Sequence, residues 1–394
     1  VTVRPPRPSA GWLLALILVA ANLRPVIASV PPLVDLLVAQ FGLTAAQVGA
    51  LTALPVVCMG LFAPVAAVLA RRYGEPTVLA AAVAVIGLGA GLRAFGGVAG
   101  LYSGAFVAGL GIAVAGTLLP ALVRTRYPDR VGPVTGLYTT ALIAGAFLAA
   151  GATEPLRLWL GLPPPAALAL WSVPAAVALA AWLLAFERGP RPSTVVVVRF
   201  PWRSRAAWLG TLFMGGQSLL FYTTLAWLGA AYTSLGRSTA FAGLLLAVFS
   251  AAQLVTALAM PTLAHRGGDT RPWMGLSVGL TIAGLLLVTV APVAFGAAPW
   301  LWAVLIGLGM GGNLALAFLV LTENAPSPQA APAFTGMAFF VGYLMAAVGP
   351  VTLGALRDLT GTFTPVFATL TVLGVLILLV GLAAARRPLP VDPV

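Results

Sequence analysis

Arg24 is the residue whose chemistry stands out. It lies inside an apolar run, thirteen residues after Gly11, which is about 20 Å along a helix at 1.5 Å per residue. If that run crosses a bilayer, the guanidinium is near its middle. A charge there costs roughly 2.5–3.5 kcal/mol and normally faces the interior of a helix bundle or a water-filled cavity. The planar fork of Arg suits carboxylate-like, nitro or linear triatomic groups. Asn22 and Pro25 flank it, and Pro31 and Pro32 follow. Each Pro removes an N–H donor and frees a carbonyl one turn back, and irregular backbone at membrane depth is tolerated only where it lines a cavity or is buried in protein. The alternative is a structural Arg, held by those carbonyls or by an acid. Asp35, Glu154 and Glu323 read as residues near helix ends, not as partners at its depth.

Other polar groups interrupt apolar runs. Gln217, Ser218, Phe221, Tyr222, Thr223 and Trp227 follow one another in a later run. Gln217 shares a helix face with Phe221, and Ser218 shares one with Tyr222. Donors on an apolar wall are how small-molecule sites are built, although polar groups also bind helices to each other. Asn313 follows GLGMGG (Gly307 to Gly312), where small residues allow close helix approach. Tyr138 and Tyr343 occupy corresponding places in the two halves and read as gate or site residues. Trp227 is an equally good interfacial anchor. Asp35 is the remaining candidate for ion coupling, because no acid or His falls in mid-run. One Cys (Cys58) and one His (His265) exclude disulfides, thiolate clusters and a His-rich metal site. With no nucleophile–base or metal constellation an enzyme is not expected; neither are a catalytic residue, a metal or a cofactor.

The elements that must carry these residues follow from composition. The chain has 394 residues, 60% hydrophobic and only 8% charged, against about 25% charged in soluble domains. A water-facing surface cannot be covered at that level. Twelve runs are long enough to span a bilayer: 12–39, 48–70, 77–95, 100–123, 133–152, 165–186, 206–233, 239–263, 273–291, 300–322, 334–356 and 364–385. All 21 basic residues are Arg, and with both termini inside sixteen of them are cytoplasmic. Only Arg93, Arg157, Arg237 and Arg357 fall outside, which fits the positive-inside rule. The net charge of +12 thus records orientation rather than a nucleic-acid partner. The expected location is the bacterial inner membrane. The basic, Pro-containing stretch 187–205 separates an N-terminal bundle (1–186) from a C-terminal one (206–394), each of six spans. LARRYG at Leu69 recurs as LAHRGG at Leu263, GLG at Gly109 recurs at Gly307, and Thr135–Gly136 recurs at Thr335–Gly336. Offsets of 194 to 200 indicate an internal repeat. The predicted class is an all-α integral membrane protein of two six-helix pseudo-repeats, a transporter architecture with its site near the midplane.

The chain resembles the major facilitator superfamily and, within it, the group of cyanate permeases and 2-nitroimidazole transporters. The pieces that carry the resemblance are ANLRPVIASVPPL from Ala21, LPVVCMGLFAP from Leu54, LLPALVRTRYPDRVGPVTGLYTT from Leu118, GGQSLLFYTTLAWL from Gly215 and GYLMAAVGPVTLGALRDLTG from Gly342. The resemblance implies alternating access. The solute, a small anion or strongly polar molecule, would be held by Arg24 and Asn22 together with Gln217, Tyr222 and Asn313. A monomer in the bilayer is expected. It also implies a gating loop after the second span, here Arg71, Arg72, Gly74 and Glu75, with Arg266 in the repeat. Arg71 stands where the superfamily has Asp, Glu75 stands where a basic residue follows the Gly, and Gly116 replaces the Asn found before LLPAL in the group. Two alternatives are a proton-coupled exporter of drugs or nitroimidazoles and an exchanger similar to nitrate/nitrite porters. The latter carry two Gly-rich copies and two buried Arg, against one of each read here.

Overall fold

The computed structural model describes residues 10–185, 200–267, 269–327 and 330–385. Among the described residues every regular element is helical. The first span is in pieces: α1 (Ala10–Ala21), α2 (Pro25–Ala28), a single 3-10 turn at Pro31–Leu33 and α3 (Val34–Phe41). Next come α4 (Ala45–Tyr73), α5 (Glu75–Leu92), α6 (Gly97–Arg126) and α7 (Val131–Leu160). The sixth span is split into α8 (Pro164–Ala169) and α9 (Ser172–Leu184). Then follow α10 (Arg205–Ser234), α11 (Thr239–Gly267), α12 (Arg271–Val290), α13 (Ala298–Glu323), α14 (Ala331–Thr360) and α15 (Thr364–Ala384). Eleven segments are long and apolar enough to cross a membrane. The twelfth, α10, has the length but not the hydropathy, because Gln217, Ser218, Thr223 and Thr224 interrupt it. Large apolar side chains such as Leu88, Leu148, Val177, Val255 and Leu379 remain exposed, as suits a surface facing lipid rather than water.

The repeat is visible in the helix bounds. α7 and α14 are both 30 residues long and start 200 residues apart, and each ends at a left-handed glycine, Gly161 at φ 63° and Gly361 at φ 72°. α4 and α11 are both 29 residues long. The twelve helices in two six-helix repeats are those expected from the sequence.

The described residues group into two compact units. One comprises 10–43, 50–185 and 228–247; the other comprises 44–49, 200–227 and 248–385. In the first, α1 packs on α7 and α9, and α5 lies between α6 and α9. Its core gathers Trp12, Leu16, Val19, Leu79, Ile86 and Leu119. The rings of Tyr127 and Trp182 lie 5.6 and 5.3 Å from Trp12. Glycine sets the α5–α6 spacing: a Cβ on Gly89 would stand 2.3 Å from Ala108 N. In the second unit α12 packs on α13 and α15. The Gly run of α13 is a packing seam. Cβ atoms on Gly307, Gly309 and Gly311 would meet Phe249 O, Thr281 Oγ1 and Gln253 O at 2.4, 2.2 and 2.1 Å. The charges expected on 187–199 and at both ends of the chain, Arg4, Arg7, Arg188, Arg191, Arg199, Arg386 and Arg387, lie outside the described residues, as does the side chain of Arg266.

Candidate functional site

The break in the first span is where the backbone must find new partners, and nearly every step can be followed. Pro25 has no N–H to give Ala21 O. Asn22 N and Leu23 N tighten to Val19 O and Ala20 O at 3.1 and 3.2 Å. Leu18 O, thereby released, accepts from the Asn22 side chain at 2.8 Å, and the same Nδ2 donates to Pro174 O at 3.2 Å. Ala21 O lies against Gly145 of α7, where a Cβ would be only 1.9 Å away. Beyond the break, Ile27 N and Ala28 N both return to Arg24 O at 3.0 Å, and Val30 N turns to Ile27 O at 3.4 Å. That leaves Val26 O, which accepts from Arg93 Nη1 at 2.7 Å.

Arg24 caps the start of α2 with φ −111° and ψ −28° and is half-buried, whereas Asn22, Pro25 and Val26 are buried. The polypeptide is thus irregular at this Arg, and Asn22 spends its donor on backbone. Arg93 is the residue that sequence reasoning missed. The sequence places it in an external loop and leaves Arg24 as the sole buried Arg; in the structure Arg93 is 1% exposed. Its Nε and Nη2 have no hydrogen-bond partner among the described residues. No carboxylate signature or motif marks it, because its partner is a main-chain carbonyl.

The other unit carries most of the remaining residues expected at the solute site. On α10, Gln217 is buried and its Nε2 donates to Ser218 Oγ at 2.8 Å. Tyr222 is buried next to Phe221, which stacks on Phe249. Trp227 donates to Pro350 O at 3.0 Å, and its Cζ2 lies against Gly49 and Gly354. Asn313 is fully buried, with Nδ2 donating to Thr281 Oγ1 at 3.1 Å and Oδ1 unpartnered. Tyr343 is half-buried beside Phe339, and Tyr138 in the first unit packs on the core around Trp12. Arg71 and Arg72 are exposed at the end of α4, Gly74 takes φ 86° at the turn, and Glu75 opens α5. Asp35 is exposed in the first turn of α3.

Two acids, Asp358 and Glu154, hold helix starts. Asp358 of α14 accepts from Ala45 N and Ala46 N, in the first turn of α4, at 2.9 and 3.0 Å. Glu154 of α7 is buried, pairs with Arg157 at 2.6 Å and accepts from Thr239 Oγ1, at the start of α11, at 2.8 Å.

Among the described residues, eleven apolar spans, a twelfth helix of spanning length and a first span broken at Pro25 make the architecture of a multi-pass membrane transporter. The comparisons agree. Residues 13–350 match the Major Facilitator Superfamily. The 2-nitroimidazole transporter of Escherichia coli (strain K12) is 33% identical over 384 residues, covering 94% of each chain. The cyanate transport protein CynX of the same organism is 32% identical over 389 residues, covering 95% of this chain and 98% of its own. The inward-facing, occupied crystal structure of a bacterial homolog of the human lysosomal transporter Spinster matches with a TM-score of 0.77, over 96% of this chain and 98% of that one; at 14% identity it speaks for the fold alone. The chain belongs to the major facilitator superfamily, in the group of the cyanate and 2-nitroimidazole transporters, and is a transporter of small solutes rather than an enzyme.

Proposed function

We propose that the protein moves a small anion or strongly polar solute, such as cyanate, nitrite, a small carboxylate or a nitroimidazole, by alternating access, with Arg24 supplying the positive charge that holds it. The observation that carries this reading is the half-buried Arg24 at the break of an apolar segment that runs from Ala10 to Phe41. Interrupting a spanning helix leaves backbone groups to satisfy, and here Arg93 of α5 supplies the partner of Val26 O. The names of the two Escherichia coli relatives point to small polar solutes. Gln217, Tyr222 and Asn313 remain candidates for solute contact from their own unit, and Tyr138 and Tyr343 for gating. Asn22 acts through the backbone it caps. The Arg distribution favours the bacterial inner membrane with both termini cytoplasmic.

Purified protein in liposomes tests this with cyanate, nitrite, nitrate, bicarbonate, acetate and a neutral nitroimidazole. Wild type should take up at least one of the anions. Arg24→Ala should abolish that uptake, and Arg24→Lys should retain the charge but lose the fork geometry and raise KM. Normal anion uptake by Arg24→Ala removes Arg24 from the solute site. A pH gradient imposed across the same liposomes reads out proton coupling.

A further inference from the structure

We propose that Arg93 is a positioning residue: it holds the Val26 carbonyl left over by the break and so fixes the segment that carries Arg24. Only its effect on solute affinity rests on the reading of Arg24 given above; its hold on the segment does not.

The geometry is closely constrained. Arg93 is the C-cap of α5, 67 residues from Val26, and reaches it through one bond, Nη1 to Val26 O at 2.7 Å. Its stem is seated by a glycine, because a Cβ on Gly104 would lie 2.8 Å from Arg93 Cγ and 2.5 Å from Gly89 O. The end of α5 favours a cation, since the last carbonyls of a helix carry partial negative charge. These facts explain how Arg93 is tolerated there but not why it is used. If the position served packing alone, an apolar residue of similar volume would avoid taking a charge out of water, and such replacements are often neutral or stabilising. What an apolar residue cannot do is donate to Val26 O.

That carbonyl is coupled to Arg24 over a very short path. Val26 is two residues from Arg24, within the turn closed by Ile27 N and Ala28 N on Arg24 O. The turn has four residues, with Pro25 at its start and Pro31 and Pro32 just beyond its end. A helix this short has little hold of its own on its position. The anchor on Val26 O comes from a separate helix, and just beyond the turn the buried Ser29 Oγ has no hydrogen-bond partner among the described residues. Without Arg93, Val26 O would be a buried, unsatisfied acceptor, and the segment would move to find a partner, taking Arg24 with it.

The test uses full-length protein in liposomes and in detergent. Arg93→Met removes the donor; Arg93→Gln retains a donor without the charge. A Ser29→Cys probe in a Cys58→Ser background reports the segment independently of transport, because Ser29 is fully buried. Arg93→Met should speed labelling of that thiol by a membrane-permeant maleimide about tenfold or more, and Arg93→Gln should leave it within about threefold. Cyanate and nitrite uptake should show KM raised about tenfold in Arg93→Met, with the Arg93→Gln value near wild type. Simple loss of folded protein would lower the maximal rate and leave KM unchanged. Labelling in Arg93→Met at the wild-type rate overturns the proposal whatever transport does. So does an Arg93→Gln variant that behaves as Arg93→Met does, since the charge and not the carbonyl bond would then be what matters. If Arg24→Ala transports normally while the labelling pattern holds, the solute reading falls and the anchoring role stands.

Discussion

Gly145 offers a direct test of how the broken first span is seated. A methyl group at this position would be placed 1.9 Å from Ala21 O, 2.8 Å from Ala21 C and 3.2 Å from Ala21 Cα. All three are backbone atoms, so no side chain can swing aside. Restoring ordinary contact requires α1 and α7 to part by about 1.5 Å, and overpacking of this kind costs about 1–3 kcal/mol. Ala21 is three residues before Arg24, so the same movement displaces the candidate solute residue. Gly145→Ala should therefore lower the melting temperature in detergent and impair uptake in liposomes. Gly116 is the control: it lies in α6, and a Cβ there meets nothing within 4 Å. Gly116→Ala should be neutral or stabilise by about 0.4–1 kcal/mol, because Ala restricts the unfolded chain and favours helix. Equal melting temperatures for the two variants would refute the close approach of Ala21 and Gly145, and with it the seating of the break described here.

Two further outcomes follow from the same structure. Asp358→Ala should destabilise by about 1 kcal/mol, the usual cost of losing a helix cap, and should speed amide exchange at Ala45 and Ala46; protection unchanged at those two amides would remove the cap. Gly309→Ala drives a methyl into Thr281 Oγ1 at 2.2 Å and Ser277 O at 2.6 Å. It should cost about 1–3 kcal/mol in melting experiments, and a folded variant of wild-type stability would show that the Gly run is not a packing seam.

The spans were legible because hydropathy and length report burial in lipid without any need for tertiary detail. Pro25, Pro31 and Pro32 announced the broken first helix, since a missing N–H is a property of the residue itself. Arg93 was not legible. It stands at the end of an apolar run, just before Phe95–Gly96–Gly97, where a charge ordinarily marks the return to water, and its partner is a carbonyl with no side-chain signature. Asp358 and Glu154 hid for a related reason: each reads as a terminal acid, and the helix starts they hold are 313 and 85 residues away. Asn313 shows the converse. An amide in a Gly-rich helix reads as wholly open, whereas one N–H of Asn313 donates to Thr281 Oγ1, a hydroxyl that sequence alone does not place beside it.

The Asp358 cap also bears on how the protein is made. The first-turn N–H groups of α4 have no partner within their own helix, and the acid that receives two of them lies 313 residues later. A ribosome adds that whole intervening stretch before the acid exists. The second span must therefore enter the bilayer with its leading amides still hydrated, and it acquires its final cap only when the eleventh span arrives. A helix made late thus completes one made much earlier, and a chain stopped before Asp358 would keep the start of α4 open to water.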